Sequence, residues 1–340
     1  MSSSNVPVQW QAYEVKAPAL TSAVPVIAAI DIPYISGGHR FQTLSLYAPT
    51  TAETKALIGQ PAIKLPTRKD AAPRIHVHIH GGAWRDPDLT SRSIEAAAAH
   101  ALRDGSNDLI DMIVSINYTL SPFPTHPTSP YDPIQDNHSD PAREAQHPQH
   151  VDDVLHAFNL LRTQYGLNDR SFILSGHSCG ACLAFQSILK PPTWWGSTLQ
   201  RPPTPAALVG FNGLYDLVEL VQGLGPTHKN MREDYEGFQS IAFGKDKSRW
   251  PNSSPARFDV DEISARLTAG EVPLLVLLDQ SPNDQLVPMN QTQRLELQLS
   301  LVEGLEIMKG TRCVGTHAAP WEQGDMIWET IKDVLKVLRK

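Results

Sequence analysis

A short apolar run, Phe172-Ile173-Leu174-Ser175, ends in Gly176-His177-Ser178-Cys179-Gly180, and an apolar segment, Ala181-Cys182-Leu183-Ala184-Phe185, resumes without a linker. That pattern predicts a strand, a very tight turn and a helix. Ser178 stands at the apex, where a strained backbone lifts the hydroxyl clear of the sheet. Gly176 and Gly180 let strand and helix pass close together, because neither carries a Cβ. A pentapeptide with three defined residues recurs by chance. The strand-turn-helix context is what makes Ser178 a candidate nucleophile.

The rest of the chain supplies the sheet this turn needs. Residues 1–24 read as a surface-running lead. Residues 25–34 and 41–47 read as strands joined by a turn at Ser36-Gly37-Gly38, and 52–72, broken by prolines, as a loop or insertion. Residues 74–80 alternate as a strand and end in Gly81-Gly82-Ala83-Trp84. An alanine-rich helix over 90–103 and an apolar strand over 109–118 follow, which implies a parallel crossover. Residues 123–148 are rich in proline and histidine, show no periodicity, and read as an irregular insertion near the site's mouth. A helix over 151–165 precedes the serine turn. After it come strands at 206–212, 272–278 and 305–309, and helices at 291–303 and 325–338. A mixed helical region over 218–270 separates two of these strands and reads as a cap. Strands alternating with helices predict one α/β domain over 1–340, with a mostly parallel sheet covered on both faces.

With 340 residues and 41% of them hydrophobic, the chain can bury a large core. Its net charge of -7 argues against a nucleic-acid or anionic-membrane partner. Lys332, Lys336, Arg339 and Lys340 read as the solvated face of a closing helix. Three cysteines, Cys179, Cys182 and Cys313, are no disulfide framework. Cys179 and Cys182 form a C-x-x-C spacing, but inside the turn and the first helical turn they read as small packing residues. No cationic-then-apolar leader opens the chain, and no apolar run approaches the ~20 residues of a membrane span. A soluble, cytoplasmic protein is expected.

A serine hydroxyl needs a neighbouring base, usually a histidine held by a carboxylate. In folds with this turn the partners follow in the order serine, acid, histidine. Of thirteen histidines, only His228 and His317 come after Ser178. His228 falls in the cap region. His317 follows the last strand, where a base should hang over the serine, so it is the expected base. Asp284 and Asp279 are both candidates for the acid. Asp284, in the turn ahead of Gln285-Leu286-Val287-Pro288, is better placed to reach sideways than Asp279 at the strand's end. Asp216, after the preceding strand, is an outsider suited to capping or pocket lining. Oxyanion donors are expected from the N–H of Cys179 and from the Gly81, Gly82 and Ala83 loop, part of the motif His80-Gly81-Gly82-Ala83-Trp84. Trp84 and Tyr215 are candidate pocket residues. His76, His78 and His80 share one strand face, but such a row does not converge easily on one ion, and no metal is expected.

Six segments stand in one order: His80-Gly81-Gly82-Ala83-Trp84; Ser115-Ile116-Asn117-Tyr118-Thr119-Leu120-Ser121-Pro122; Gly176-His177-Ser178-Cys179-Gly180-Ala181; Gly213-Leu214-Tyr215-Asp216-Leu217; Asp284-Gln285-Leu286-Val287-Pro288; and Gly315-Thr316-His317. The set resembles the kynurenine formamidases (arylformamidases) of the fungal α/β-hydrolase type, relatives of the hormone-sensitive-lipase-like esterases. The resemblance covers about residues 74–320. It implies an α/β-hydrolase fold and hydrolysis of N-formyl-L-kynurenine to L-kynurenine and formate in tryptophan breakdown. It further implies a small-molecule substrate, no metal or other cofactor, and a homodimer. The 52–72 and 123–148 segments lie outside the shared pattern. A general carboxylesterase with the same residues is the competing enzyme, and a catalytically inert hydrolase-fold binding protein the competing non-enzyme.

Overall fold

The computed structural model describes residues 7–63, 74–103 and 109–339. Residues 64–72 of the 52–72 segment, the first six residues of the lead, and Lys340 lie outside it.

Nine strands form one sheet: β1 (Gln11–Val15), β2 (Val24–Pro33), β3 (Thr43–Pro49), β4 (Ile75–Ile79), β5 (Met112–Ile116), β6 (Phe172–His177), β7 (Ala207–Phe211), β8 (Leu275–Asp279) and β9 (Glu306–Lys309). Their spatial order is β1-β2-β3-β5-β4-β6-β7-β8-β9. The first three pair antiparallel, β3 runs antiparallel to β5, and every pair from β5 to β9 is parallel. The protein has the α/β-hydrolase fold, a mostly parallel sheet with helices on both faces.

The central strands are short and buried along their whole length, as parallel strands covered on both sides must be. On one face Val77, Val114, Leu174, Leu208 and Val276 meet the helices Gln149–Thr163, Cys179–Leu189, Val260–Thr268 and Asn290–Leu299. On the other face Ile113, Ile173, Val209 and Leu277 meet Glu95–Leu102 and Asp325–Leu338. The amphipathic closing helix turns Ile327, Ile331, Val334 and Leu335 inward and carries Lys332 and Lys336 outward, where they pair with Glu329 and Asp333.

Register puts the chemistry at one edge. Ile116, Ile79, Gly176, Gly210, Leu278 and Lys309 lie on a single rung across β5-β4-β6-β7-β8-β9. The loops that follow each of these residues therefore emerge side by side at the carboxyl ends of the strands, where open α/β sheets place their ligands.

Three expectations need correction. The lead is not merely a surface run, because residues 11–15 form β1 on the sheet edge. Only Val15 of that strand is buried, so its sequence carries little alternation to read. The 52–72 segment begins with a short helix, Ala52–Lys55, closed by a capping box between Thr51 and Thr54. The 218–270 region is not one unit. Val260–Thr268 packs on the sheet through Ile263 and Leu267, whereas Arg232–Phe243 overhangs the strand ends. The 123–148 segment is irregular but stitched down: Leu120 N–H donates to Ala142, Ala145 N–H to Leu120, and Arg143 Nη2 to the Ser129 carbonyl.

Candidate active site

Ser178 links β6 to the helix Cys179–Leu189 with φ 55° and ψ −123°, a conformation that costs a non-glycine residue energy. The surroundings hold it there. Ser178 N–H donates to the Phe211 carbonyl at 2.9 Å, and the Ser178 carbonyl accepts from Leu214 N–H at 3.2 Å. The glycines on either side are sterically required. A Cβ on Gly176 would lie 2.3 Å from the Gly180 carbonyl oxygen, and one on Gly180 would lie 2.2 Å from that of Ile79. The Ser178 hydroxyl makes no hydrogen bond among the described residues and lies on the wall of a cavity of about 390 Å³.

His317 lines the same cavity. Its Nδ1–H donates to Asp284 Oδ2 at 2.8 Å, which leaves Nε2 as the free, basic nitrogen. Asp284 is held in turn: its Oδ1 accepts from the N–H groups of Leu286 and Val287, both at 2.8 Å. His228, from the overhanging region, donates Nε2–H to the Asp284 carbonyl at 3.1 Å and pins the turn from above. The His317 backbone is fastened at both ends. Its N–H donates to Gln285 Oε1, and its carbonyl accepts from His177 Nε2 at 2.9 Å and Asn212 Nδ2 at 3.1 Å. Burial pushes the His177 imidazole well below its usual range, with His317 next to it adding to the effect, so His177 acts as a neutral donor.

The other two acids have different work. Asp279 accepts from Arg312 N–H at 3.1 Å, Cys313 N–H at 3.1 Å and Thr330 Oγ1 at 2.9 Å, and Gly310 packs against its carboxylate. It ties the loop after β9 and the closing helix to β8. Asp216 accepts from Arg257 Nε at 2.7 Å, Arg294 Nε at 3.0 Å and Glu219 N–H at 3.0 Å. Burial would raise its carboxyl, but the two guanidiniums win and hold it below the usual range. Neither acid lines the cavity.

Opposite the serine, Gly82, Ala83 and Trp84 all take positive φ, at 105°, 48° and 60°. Gly81 packs on the serine turn so closely that a Cβ would sit 2.8 Å from His177 Nδ1 and 3.1 Å from Ser178 Cβ. The loop is anchored from beneath. The Tyr118 hydroxyl reaches the carbonyls of Gly81 at 3.0 Å and His80 at 3.2 Å, and the His80 ring stacks on Tyr118 with centroids 4.6 Å apart. Trp84 N–H donates to Cys179 Sγ at 3.3 Å. Burial raises the Cys179 thiol to about 11, so the sulfur stays protonated and serves as a weak acceptor that fastens the loop to the serine turn. Among the described residues no acceptor takes the N–H of Gly82 or Cys179.

Two pocket candidates are displaced. Trp84 is fully buried, edge-on to Phe243 at 4.8 Å, because its positive φ turns the side chain under the loop. Tyr215 is also fully buried and fills the space left by Gly210 and Gly213 beneath the sheet edge. The cavity walls instead come from Phe123 in the insertion, Tyr235 and Phe238 in the overhanging helix, Trp321, and Arg85. His76 Nε2 and His78 Nδ1 both bond to the Ser175 hydroxyl, at 2.7 and 2.8 Å, inside the core. Among the described residues, Asp86, Asp88 and His126 form one cluster with ligand-type atoms. His126 Nδ1 accepts Ser129 N–H at 2.9 Å, so the proton is on Nε2, facing Asp86 at 3.3 Å and Asp88 at 3.6 Å. The ring is thus a donor that ties the insertion to the cavity rim. No helix among the described residues is long and apolar enough to cross a membrane.

The sheet with helices on both faces, and the strained serine turn at its carboxyl edge, define an α/β-hydrolase. Solved structures agree on the fold. Esterase B from Lactobacillus rhamnosis superposes with a TM-score of 0.58 at 15% identity, over 94% of this chain and 89% of that one. A carbohydrate esterase from gut microbiota gives 0.56 at 15% identity, over 95% and 98%. No protein-family model matches the chain. The kynurenine formamidase avaC of Aspergillus versicolor is 31% identical over 277 residues, covering 76% of this chain and 88% of that protein. The kynurenine formamidase-like hydrolase fscH of Fusarium equiseti is 28% identical over 321 residues, covering 91% and 94%. The chain belongs to the kynurenine formamidase family.

Proposed function

We propose that the protein hydrolyses N-formyl-L-kynurenine to L-kynurenine and formate, as a serine hydrolase with Ser178 as nucleophile, His317 as base and Asp284 as the acid that orients it. The observation that carries this reading is the shared cavity: Ser178 and His317 both line it, and Asp284 holds His317 in the basic tautomer. Ser178 Oγ attacks the formyl carbon while its proton passes to His317 Nε2. The oxyanion that forms is met by the N–H groups of Cys179 and Gly82, with Gly81 and Ala83 completing the loop. His317 then gives the proton to the aryl nitrogen, the C–N bond breaks, and L-kynurenine leaves. A water that loses its proton to His317 attacks the formyl-serine ester and releases formate, and Ser178 recovers its proton. An arylamine is a better leaving group than an alkylamine because the ring delocalises its lone pair, so a site suited to esters can cleave this amide. In unliganded sites the serine-histidine bond is often unmade until substrate binds, in keeping with the free Ser178 hydroxyl.

A carboxylesterase is the second reading, favoured by the esterases among its structural neighbours. The kcat/KM values on N-formyl-L-kynurenine and on phenyl acetate decide between them. The formamide is expected to be the better substrate, and a large preference for the ester would sink the proposal. Failure of a fluorophosphonate to label Ser178 would sink both. A homodimer belongs to the same proposal and is checked by sedimentation equilibrium.

A further inference from the structure

Arg85 follows the positive-φ loop directly and lines the cavity beside Ser178. Its guanidinium carbon sits 3.9 Å from the centre of the Phe123 ring and 5.4 Å from that of Phe238. The rings hold the cation in place but offer no hydrogen-bond acceptor. Nε is buried and without a partner, and no carboxylate or carbonyl accepts from either Nη among the described residues. Burial lowers the guanidinium below its ordinary range, opposed by Asp234 and Asp86. Arg85 is half-buried, with its Nε shielded from water and its Nη groups open to the cavity; a bidentate carboxylate is the group that best fills such a fork. Asp86 and Asp234 line the same cavity, and neither is within ion-pair distance of Arg85. One cation and two acids would repel a phosphate dianion. They complement a ligand that carries one carboxylate and one ammonium.

We propose that Arg85 binds the carboxylate of an α-amino acid carried on the leaving group, with Asp86 and Asp234 facing its ammonium. The cavity thereby selects zwitterionic aryl substrates over neutral ones. For formamides this rests on the reading above, but the charge selection itself does not. The test compares N-formyl-L-kynurenine with its α-carboxamide, and O-acetyl-L-tyrosine with O-acetyl-L-tyrosinamide. Each pair differs only in the carboxylate. The wild type should favour the acid by on the order of 10- to 100-fold in kcat/KM, as expected for a hydrogen-bonded charge. In Arg85→Gln that ratio should fall to near one, and Arg85→Lys should restore part of it. Labelling of Ser178 by a fluorophosphonate shows that each variant is folded. An acid-to-amide ratio unchanged in Arg85→Gln, or no preference in the wild type on either pair, overturns the proposal. If neither formamide is cleaved while the tyrosine esters show an Arg85-dependent ratio, the formamidase reading fails and the Arg85 proposal stands.

Discussion

Replacing Asp284 with asparagine separates the roles of the two acids that follow β8. Asp284 Oδ1 accepts two backbone N–H groups and Oδ2 accepts the His317 Nδ1–H. An asparagine must place its oxygen and its NH2 on these two sides. The side with two donors keeps the oxygen, because an NH2 there would face two N–H groups. The NH2 then points at His317 Nδ1, which must become the acceptor, so the proton moves to Nε2. A histidine protonated at Nε2 cannot take the Ser178 proton. The expected loss in kcat is about four orders of magnitude, as for a triad histidine held in the wrong tautomer. That corresponds to about 5 kcal/mol of transition-state stabilisation. The fold should survive, since both backbone bonds remain. In Asp279→Asn the opposite pattern is expected. Its carboxylate serves three donors and lies away from the cavity. The variant should lose about 1–3 kcal/mol of stability through a mispaired buried group while kcat on N-formyl-L-kynurenine stays within a few fold. The assays are kcat from formate release and unfolding in urea. A catalytic collapse in Asp279→Asn, with near-normal turnover in Asp284→Asn, would refute the assignment.

Further outcomes follow from the same geometry. Cys179→Ala removes the sulfur that accepts Trp84 N–H and should cut kcat by about an order of magnitude, with KM less affected, because oxyanion donors act in the transition state; unchanged kcat would show that Tyr118 alone positions the loop. Gly180→Ala puts a Cβ 2.2 Å from one backbone carbonyl and 2.3 Å from the next, and should leave little folded protein at 37 °C, read by circular dichroism. Stability should fall on acidification. Burial lowers His76 and His150 to about 3 and His80 to about 4, and holds His78, His147 and His177 well below the usual value. Below about pH 6.5 the unfolded chain takes up protons that these rings refuse, so their stabilisation is complete above that pH and is lost as pH falls toward 4. Urea titrations at pH 7, 6 and 5 read the slope, and a flat profile would contradict it.

The local conformations were legible in the chain itself. Gly176-His177-Ser178-Cys179-Gly180 between an apolar run and a helical one permits only a tight turn, because the steric limits act within a few residues. The glycine loop after β4, the parallel α/β layout and the position of His317 after the last strand follow from short-range backbone chemistry and from order. The edge strand β1 was not legible, since a strand with one buried residue leaves almost no periodicity.

What the tertiary structure decided is the allocation of partners. Asp279 and Asp284 are five positions apart and carry the same side chain; one is captured by Thr330 and two loop amides, the other by His317. Trp84 and Tyr215 sit beside functional loops in sequence but fill space in the core, while Arg85 next to Trp84 faces the cavity. The Cys179 thiol, which looks incidental in the sequence, meets Trp84 N–H across 95 positions. Hydrogen bonds act over about 3 Å. Which donor meets which acceptor is therefore settled only when the sheet brings its loops together at one edge.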